Sequence, residues 1–227
     1  GREWFELAAN QGLADAQYSL AVIYFKGNGV LQDFTIATEY FELAAKQSIA
    51  GAQFYSGTMY YYGQGVPQDF TISREYFELA AKQGIADAQL YLGVIYQEGD
   101  GVPQDFTIAR EYFELAAKQG IVDAQNNLGA IYFNGHGVPQ DFTKAHEWYK
   151  RAADQGLAEA QNNLALMYYK GNGVPKDFTK THKWFKQAAD QGDAKAQFHL
   201  GKMYENGLVG PQDFTIAREW YEQAAEQ

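Results

Sequence analysis

Ser19, Ser48, Ser56 and Ser73 are the only serines, and none stands in the G-x-S-x-G or S-x-x-K pattern that serine acyl transfer uses. Cysteine is absent, which removes thiol nucleophiles, disulfides, thiolate zinc sites and iron–sulfur clusters together. The histidines are His136, His146, His182 and His199. His146 and His182 occupy matching places 36 residues apart, and helices stacked roughly 8–10 Å apart would let two imidazoles share a metal. Lys150 and Lys186 hold the i+4 places where a carboxylate would complete such a set, so a solvated pair is expected, with no metal and no cofactor. Carboxylates such as Glu39, Glu75, Glu111, Glu147 and Glu219 recur in register, three of them directly after an Arg. A general acid–base pair has to be singular, with two environments that push two pKa values apart. The G-x-G loops, such as Gly27-Asn28-Gly29, lack the G-K-S/T that completes a phosphate-binding loop. No catalytic residue is assigned, and the chain reads as a non-enzyme.

The repetition that disqualifies those groups is itself the main signal. Proline occurs at 67, 103, 139, 175 and 211, a step of 36 each time, and Asp-Phe-Thr starts at 33, 69, 105, 141, 177 and 213. Each unit reads as two helices. In Ala86 to Gly120, Ala88, Leu92, Ile95 and Tyr96 fall on one face of a 3.6-residue period, and Gly99 and Gly101 stop that helix. Asp105 is placed to cap the second helix, whose buried face is predicted to carry Ala109, Tyr112, Phe113, Ala116 and Ala117, with Gly120 as its left-handed cap. Gly57, Gly93, Gly129 and Gly201 lie mid-helix, where glycine costs about 1 kcal/mol relative to alanine. A close approach of the paired helix backbone is the expected reason. The units run 13–48, 49–84, 85–120, 121–156, 157–192 and 193–227, preceded at 1–12 by part of a second helix.

The first helix reads A-x-A-Q-x-x-L-G-x-x-Y-x-x-G, the loop G-x-G-V-P-x-D, and the second helix A-x-x-W/Y-F/Y-x-x-A-A-x-Q-G. This pattern resembles the Sel-one-like repeat (SLR) family, relatives of tetratricopeptide repeats, over essentially the whole chain. The resemblance implies an all-α fold, an α-α superhelix (right-handed solenoid) of 36-residue helix-turn-helix repeats with first helices lining the concave side. It implies an adaptor for protein partners, often in bacterial envelope or secreted proteins or in endoplasmic-reticulum quality control. Some bacterial relatives join helix pairs by disulfides; this chain cannot.

Comparing the six copies separates scaffold from surface. Ala16, Gln17, Tyr24 and Gly27, the Asp-Phe-Thr tripeptide and the Ala44-Ala45 pair recur unchanged. At about 100° per residue, a core centred on Leu20 leaves 15, 18, 22 and 25 pointing away, with 26 on their flank. These places vary most, and they nominate a partner-binding groove of Tyr18, Val22, Phe25, Phe54, Tyr61, Tyr62, Leu90, Asn126, Phe133, Asn162, Tyr169 and Phe198. Exposed rings in a row mark interaction surfaces, whereas rings at the 18-type position can instead wedge between first helices. An extended or helical peptide anchored on the rings and bonded by the Asn126 and Asn162 amides is the expected ligand. The alternative is a cell-wall or glycan-associated module with weak hydrolytic or binding activity.

The formal charge of −10 repels a phosphate backbone, so nucleic acid is not an expected partner. No stretch approaches the roughly 20 apolar residues of a bilayer span. A chain without cysteine suits an exported bacterial protein, so a periplasmic or secreted location is favoured over a cytoplasmic one. Because residues 1–12 match half a unit, a longer array is expected, with end-to-end contacts through uncapped termini. The loop Gly207-Leu208-Val209-Gly210-Pro211 departs from the shared pattern, and Leu208 is expected at the surface.

Overall fold

The computed structural model describes residues 2–226, and they form thirteen α-helices and no strand among the described residues. Residues 1–119 make one compact unit and residues 120–227 another. The first holds α1 (Arg2–Asn10), α2 (Ala14–Lys26), α3 (Phe34–Lys46), α4 (Ala50–Tyr62), α5 (Phe70–Lys82), α6 (Ala86–Glu98) and α7 (Phe106–Lys118). The second holds α8 (Val122–Asn134), α9 (Phe142–Asp154), α10 (Ala158–Lys170), α11 (Phe178–Asp190), α12 (Ala194–Glu205) and α13 (Phe214–Ala225). Within each unit, every helix packs on its neighbours in sequence, first helices alternating with second helices.

Local chemistry sets the boundaries. The invariant Asp accepts a backbone N–H from the residue three places on, as in Asp33 from Ile36 and Asp69 from Ile72, so each second helix starts on a satisfied first turn. The second helices α1, α3, α5, α7, α9 and α11 each run into a left-handed residue, whereas α13 ends on Glu226 in a right-handed conformation. Gly12 donates to the Ala9 carbonyl at 2.9 Å while Leu13 reaches back to Ala8 at 3.1 Å, a paired closure that turns the chain straight into the next first helix. Ser48, at φ +66°, fills that left-handed place in the one unit that lacks the glycine.

Each unit's core is built on buried rings. Phe41, Phe77, Phe113 and Phe185 are fully buried, and Tyr149 nearly so. Their neighbours correct the expectation about mid-helix glycines. A Cβ on Gly57 would come within 2.6 Å of the Phe77 ring, one on Gly93 within 2.4 Å of Phe113, and one on Gly129 within 2.5 Å of Tyr149. The glycine makes room for a ring from the second helix, and ring atoms rather than backbone are what a Cβ would meet first. Leu208, expected at the surface, instead packs against the Phe185, Leu200 and Met203 cluster, because α12 ends one residue early and the longer loop folds its leucine inward.

Candidate functional site

The fixed Gln of each first helix is a buried polar joint. Gln53 is only 4 % exposed; its Nε2 donates to the Ala45 carbonyl of the preceding second helix at 3.3 Å, and its Oε1 accepts Gln83 Nε2 at 2.7 Å. Gln17 and Gln161 repeat the arrangement, donating to Ala9 and Ala153 and accepting from Gln47 and Gln191. One amide therefore ties three helices, and a buried amide needs both ends satisfied. These positions hold the scaffold and leave the neighbouring ones free to vary.

The nominated ring positions are more deeply seated than helical angles suggested. Tyr18 lies 6.0 Å from Phe41 and 6.3 Å from Tyr55, and Phe54 lies 5.9 Å from Phe77 and 6.0 Å from Tyr91. The wedge between first helices describes this position. The 25-type rings lean on the Phe of Asp-Phe-Thr: Phe25 on Phe34 at 5.7 Å, Tyr61 on Phe70 at 5.3 Å, Phe133 on Phe142 at 5.2 Å and Tyr169 on Phe178 at 5.8 Å. The loop carries that Phe back beneath position 25, which a wheel drawn on one helix does not show. Val22 and Leu90 are half-buried.

Asn126 and Asn162 are buried, at 4 % and 3 % exposure. Asn126 accepts Asn163 Nδ2 at 3.2 Å across α8 and α10, so its amide faces a neighbouring helix, while the buried Asn162 Oδ1 has no hydrogen-bond partner. Tyr62, Tyr169 and Phe198 are the nominated rings that reach solvent, at 55 %, 39 % and 43 % exposure. Phe198 lines a cavity of about 620 Å³ with Ala194, His199, Tyr221 and Ala224; the corresponding surface of α11 is covered by α12.

Tyr91 was missed. Its ring stacks on Phe77 at 4.8 Å and 13°, sits edge-on to Tyr61 at 5.2 Å and to Tyr62 at 6.3 Å, and its hydroxyl lies 2.8 Å from that of Tyr62. The clue was the position after the 18-type one, where Tyr55, Tyr91 and His199 alternate with Ser19, Asn127 and Asn163. Burial, followed by the charges of Asp100, Tyr62 and Glu98, pushes the Tyr61 hydroxyl above its usual range.

The histidine pair is half-buried and hydrogen-bonded rather than fully solvated. His146 Nε2 lies 3.1 Å from the Tyr168 hydroxyl, and His182 Nε2 lies 2.9 Å from that of Tyr204, each reaching to the first helix of the next repeat. Among the described residues no three His, Cys, Asp or Glu side chains gather as metal ligands. Burial and then a neighbouring lysine, Lys150 for His146 and Lys186 for His182, hold both imidazoles neutral to lower pH than usual; burial and then Lys202 do the same to His199. The unfolded chain takes up protons below about pH 6.5, before these sites do, so these histidines leave stability unchanged above that pH and lower it as pH drops. Denaturation midpoints at pH 7.5 and 5.5 should show the loss, and His182→Gln, which keeps a hydrogen-bonding group for Tyr204, should reduce it.

The Sel1 repeat model matches residues 1–13, 14–49, 50–85, 86–121, 122–157, 158–193 and 194–227. The chain belongs to the Sel1 repeat family. The Sel1 repeats here are similar to those of a protective antigen present in uropathogenic Escherichia coli strains displaying an SLR fold, at 42 % identity and a TM-score of 0.91 over 99 % of this chain. The chain spans 48 % of that antigen's length. A Sel1 repeat protein from Oxalobacter formigenes is 32 % identical, with a TM-score of 0.85 over 94 % of this chain and 86 % of its own. An immunity protein from Pseudomonas aeruginosa, 19 % identical with a TM-score of 0.51 over 94 % of this chain and 81 % of its own, shares the fold alone. Among curated proteins, none matches the chain. The Sel1 repeats form helical pairs of the solenoid class, and none of the described helices is long and apolar enough to cross a membrane.

Proposed function

We propose that this protein is a non-catalytic interaction scaffold that binds a protein or peptide segment on the first-helix faces of its repeats. The observation that carries the reading is that each unit bears varied, solvent-reaching rings on the first helices of an otherwise fixed frame: Tyr62 on α4 in the first unit, and Tyr169 on α10 and Phe198 on α12 in the second. Sel1 repeat proteins generally serve as protein-interaction scaffolds, which supports the same reading. Half-buried Tyr18, Phe25, Phe54, Tyr61 and Phe133 shape the face from beneath, while the exposed rings meet the partner. An exported bacterial setting belongs to the same proposal, since the similar chains named above are bacterial and one is described as a protective antigen.

The experiment follows from the burial pattern. Phe25→Ala and Tyr61→Ala would damage packing, so Tyr62→Ala, Tyr169→Ala and Phe198→Ala are the informative variants. Each should keep the helical circular dichroism of the parent. Crosslinking of a captured partner, read by mass spectrometry, should weaken by about 1–3 kcal/mol of binding free energy for a ring at the contact centre. Undiminished crosslinking by the triple variant would refute the reading.

A further inference from the structure

Charge is divided unevenly between the two units: residues 1–119 carry 7 Lys and Arg against 15 Asp and Glu, a net −8, and residues 120–227 carry 11 against 13, a net −2. In the first unit Arg74 is engaged with Glu78 and Arg110 with Glu114, both on second helices. Helices α4 and α6 contain no Lys or Arg at all, and Lys26 is the lone cation on α2. Tyr61, Tyr62 and Tyr91 stand on this cation-free stretch with ring centres 5.0 to 6.3 Å apart, edge to face, and Tyr62 is more than half exposed. Asp87 lies one turn before Tyr91 on α6, and Asp100 follows that helix close enough to act on the Tyr61 hydroxyl. Neither carboxylate is in an ion pair among the described residues.

We propose that the tyrosine face of α4 and α6 receives a basic peptide segment, its Lys or Arg side chains lying on the Tyr61, Tyr62 and Tyr91 rings and pairing with Asp87 and Asp100. The inference rests on the scaffold reading above and adds the chemistry of the partner. Aromatic faces attract cations through their quadrupole, most strongly where water is partly excluded, and here the rings already exclude water from one another. The carboxylates supply the complementary charge that orients such a segment. An acidic segment would meet repulsion with no cation on α4 or α6 to offset it. The second unit differs in kind, because Lys202 already lies 4.6 Å above the Phe198 ring and occupies that cation position from within.

The test titrates hexa-arginine, hexa-citrulline and hexa-glutamate into the full chain, following tyrosine resonances by NMR and affinity by calorimetry. Hexa-arginine should bind and shift Tyr61, Tyr62 and Tyr91, with hexa-citrulline at least about tenfold weaker. The Asp87→Asn/Asp100→Asn variant should lose about tenfold in affinity, whereas Glu39→Gln/Glu75→Gln, an equal change of charge on exposed sites of α3 and α5, should change it less than about twofold. Equal losses in the two double variants would mean that overall charge alone draws the peptide, which overturns the proposal. Hexa-citrulline or hexa-glutamate binding the same rings as tightly would also overturn it, while leaving the scaffold reading intact. If no peptide shifts the tyrosines, and the exposed-ring triple variant still captures its partner, both readings fall.

Discussion

Phe77→Ala is expected to destabilise residues 1–119 by about 3–5 kcal/mol, the range for removing a fully buried aromatic ring. Phe77 is wholly buried, stacks on Tyr91, and touches Phe54 and Tyr61. Opposite it, Gly57 has no side chain with which to close the space. The void therefore stays open, and the cost should lie toward the upper end. Urea denaturation followed by circular dichroism measures it. A second substitution checks the cause: Gly57→Leu alone should be severely destabilising, because its Cβ meets the Phe77 ring at 2.6 Å, yet combined with Phe77→Ala it should recover part of the loss. A cost for Phe77→Ala below about 1 kcal/mol would contradict the ring-over-glycine account of the core.

Gln53→Glu should be as damaging at neutral pH, for a polar reason. The substitution turns a buried N–H donor toward Ala45 into an acceptor and places a charge where exposure is only 4 %. An unpaired buried charge costs several kcal/mol, about 3–5 when a partner has been removed. Burial raises the pKa of that carboxyl in the folded state above its unfolded value of about 4.3. The penalty is present at pH 7 and is relieved as pH falls through the folded pKa, since the protonated carboxyl can donate to Ala45. The deficit relative to the parent protein should thus shrink between pH 7 and pH 4.5, measured as denaturation midpoints. Gln53→Met, which leaves Ala45 and Gln83 without their partner and has no titrating group, should cost about 1–3 kcal/mol independently of pH.

The helix pairs, the Asp caps and the left-handed closures were legible in the sequence because each depends on residues within a few positions of one another. Asp33 and Ile36, or Gly12 and Ala9, are neighbours in the chain as well as in space. The site was legible only in part. Position 25 points away from Leu20 on a wheel, but nothing on one helix shows that Phe34, nine residues on, folds back beneath it. Asn126 reads as a free amide until α10 is placed beside α8. His146 and His182 read as surface groups because their hydroxyl partners, Tyr168 and Tyr204, lie 22 residues away in the next repeat. The invariance of Gln17 marked it as scaffold without giving the reason, which is a three-helix hydrogen-bond joint.

That joint recurs with the same dimensions. Phe41 meets Tyr55 at 4.8 Å and 9°, and Phe77 meets Tyr91 at 4.8 Å and 13°, while the glutamine pairs 17/47 and 53/83 close at 2.8 Å and 2.7 Å. Excising residues 49–84 would bring Phe41 opposite Tyr91 and Ala45 opposite Gln89, partners of the kinds they already have. Unequal crossing-over between copies can therefore lengthen or shorten the array by whole repeats while keeping these frame contacts. Selection on the number and order of tyrosines is then decoupled from selection on folding, and repertoires of binding faces can diversify by gene-level copy number as readily as by point substitution.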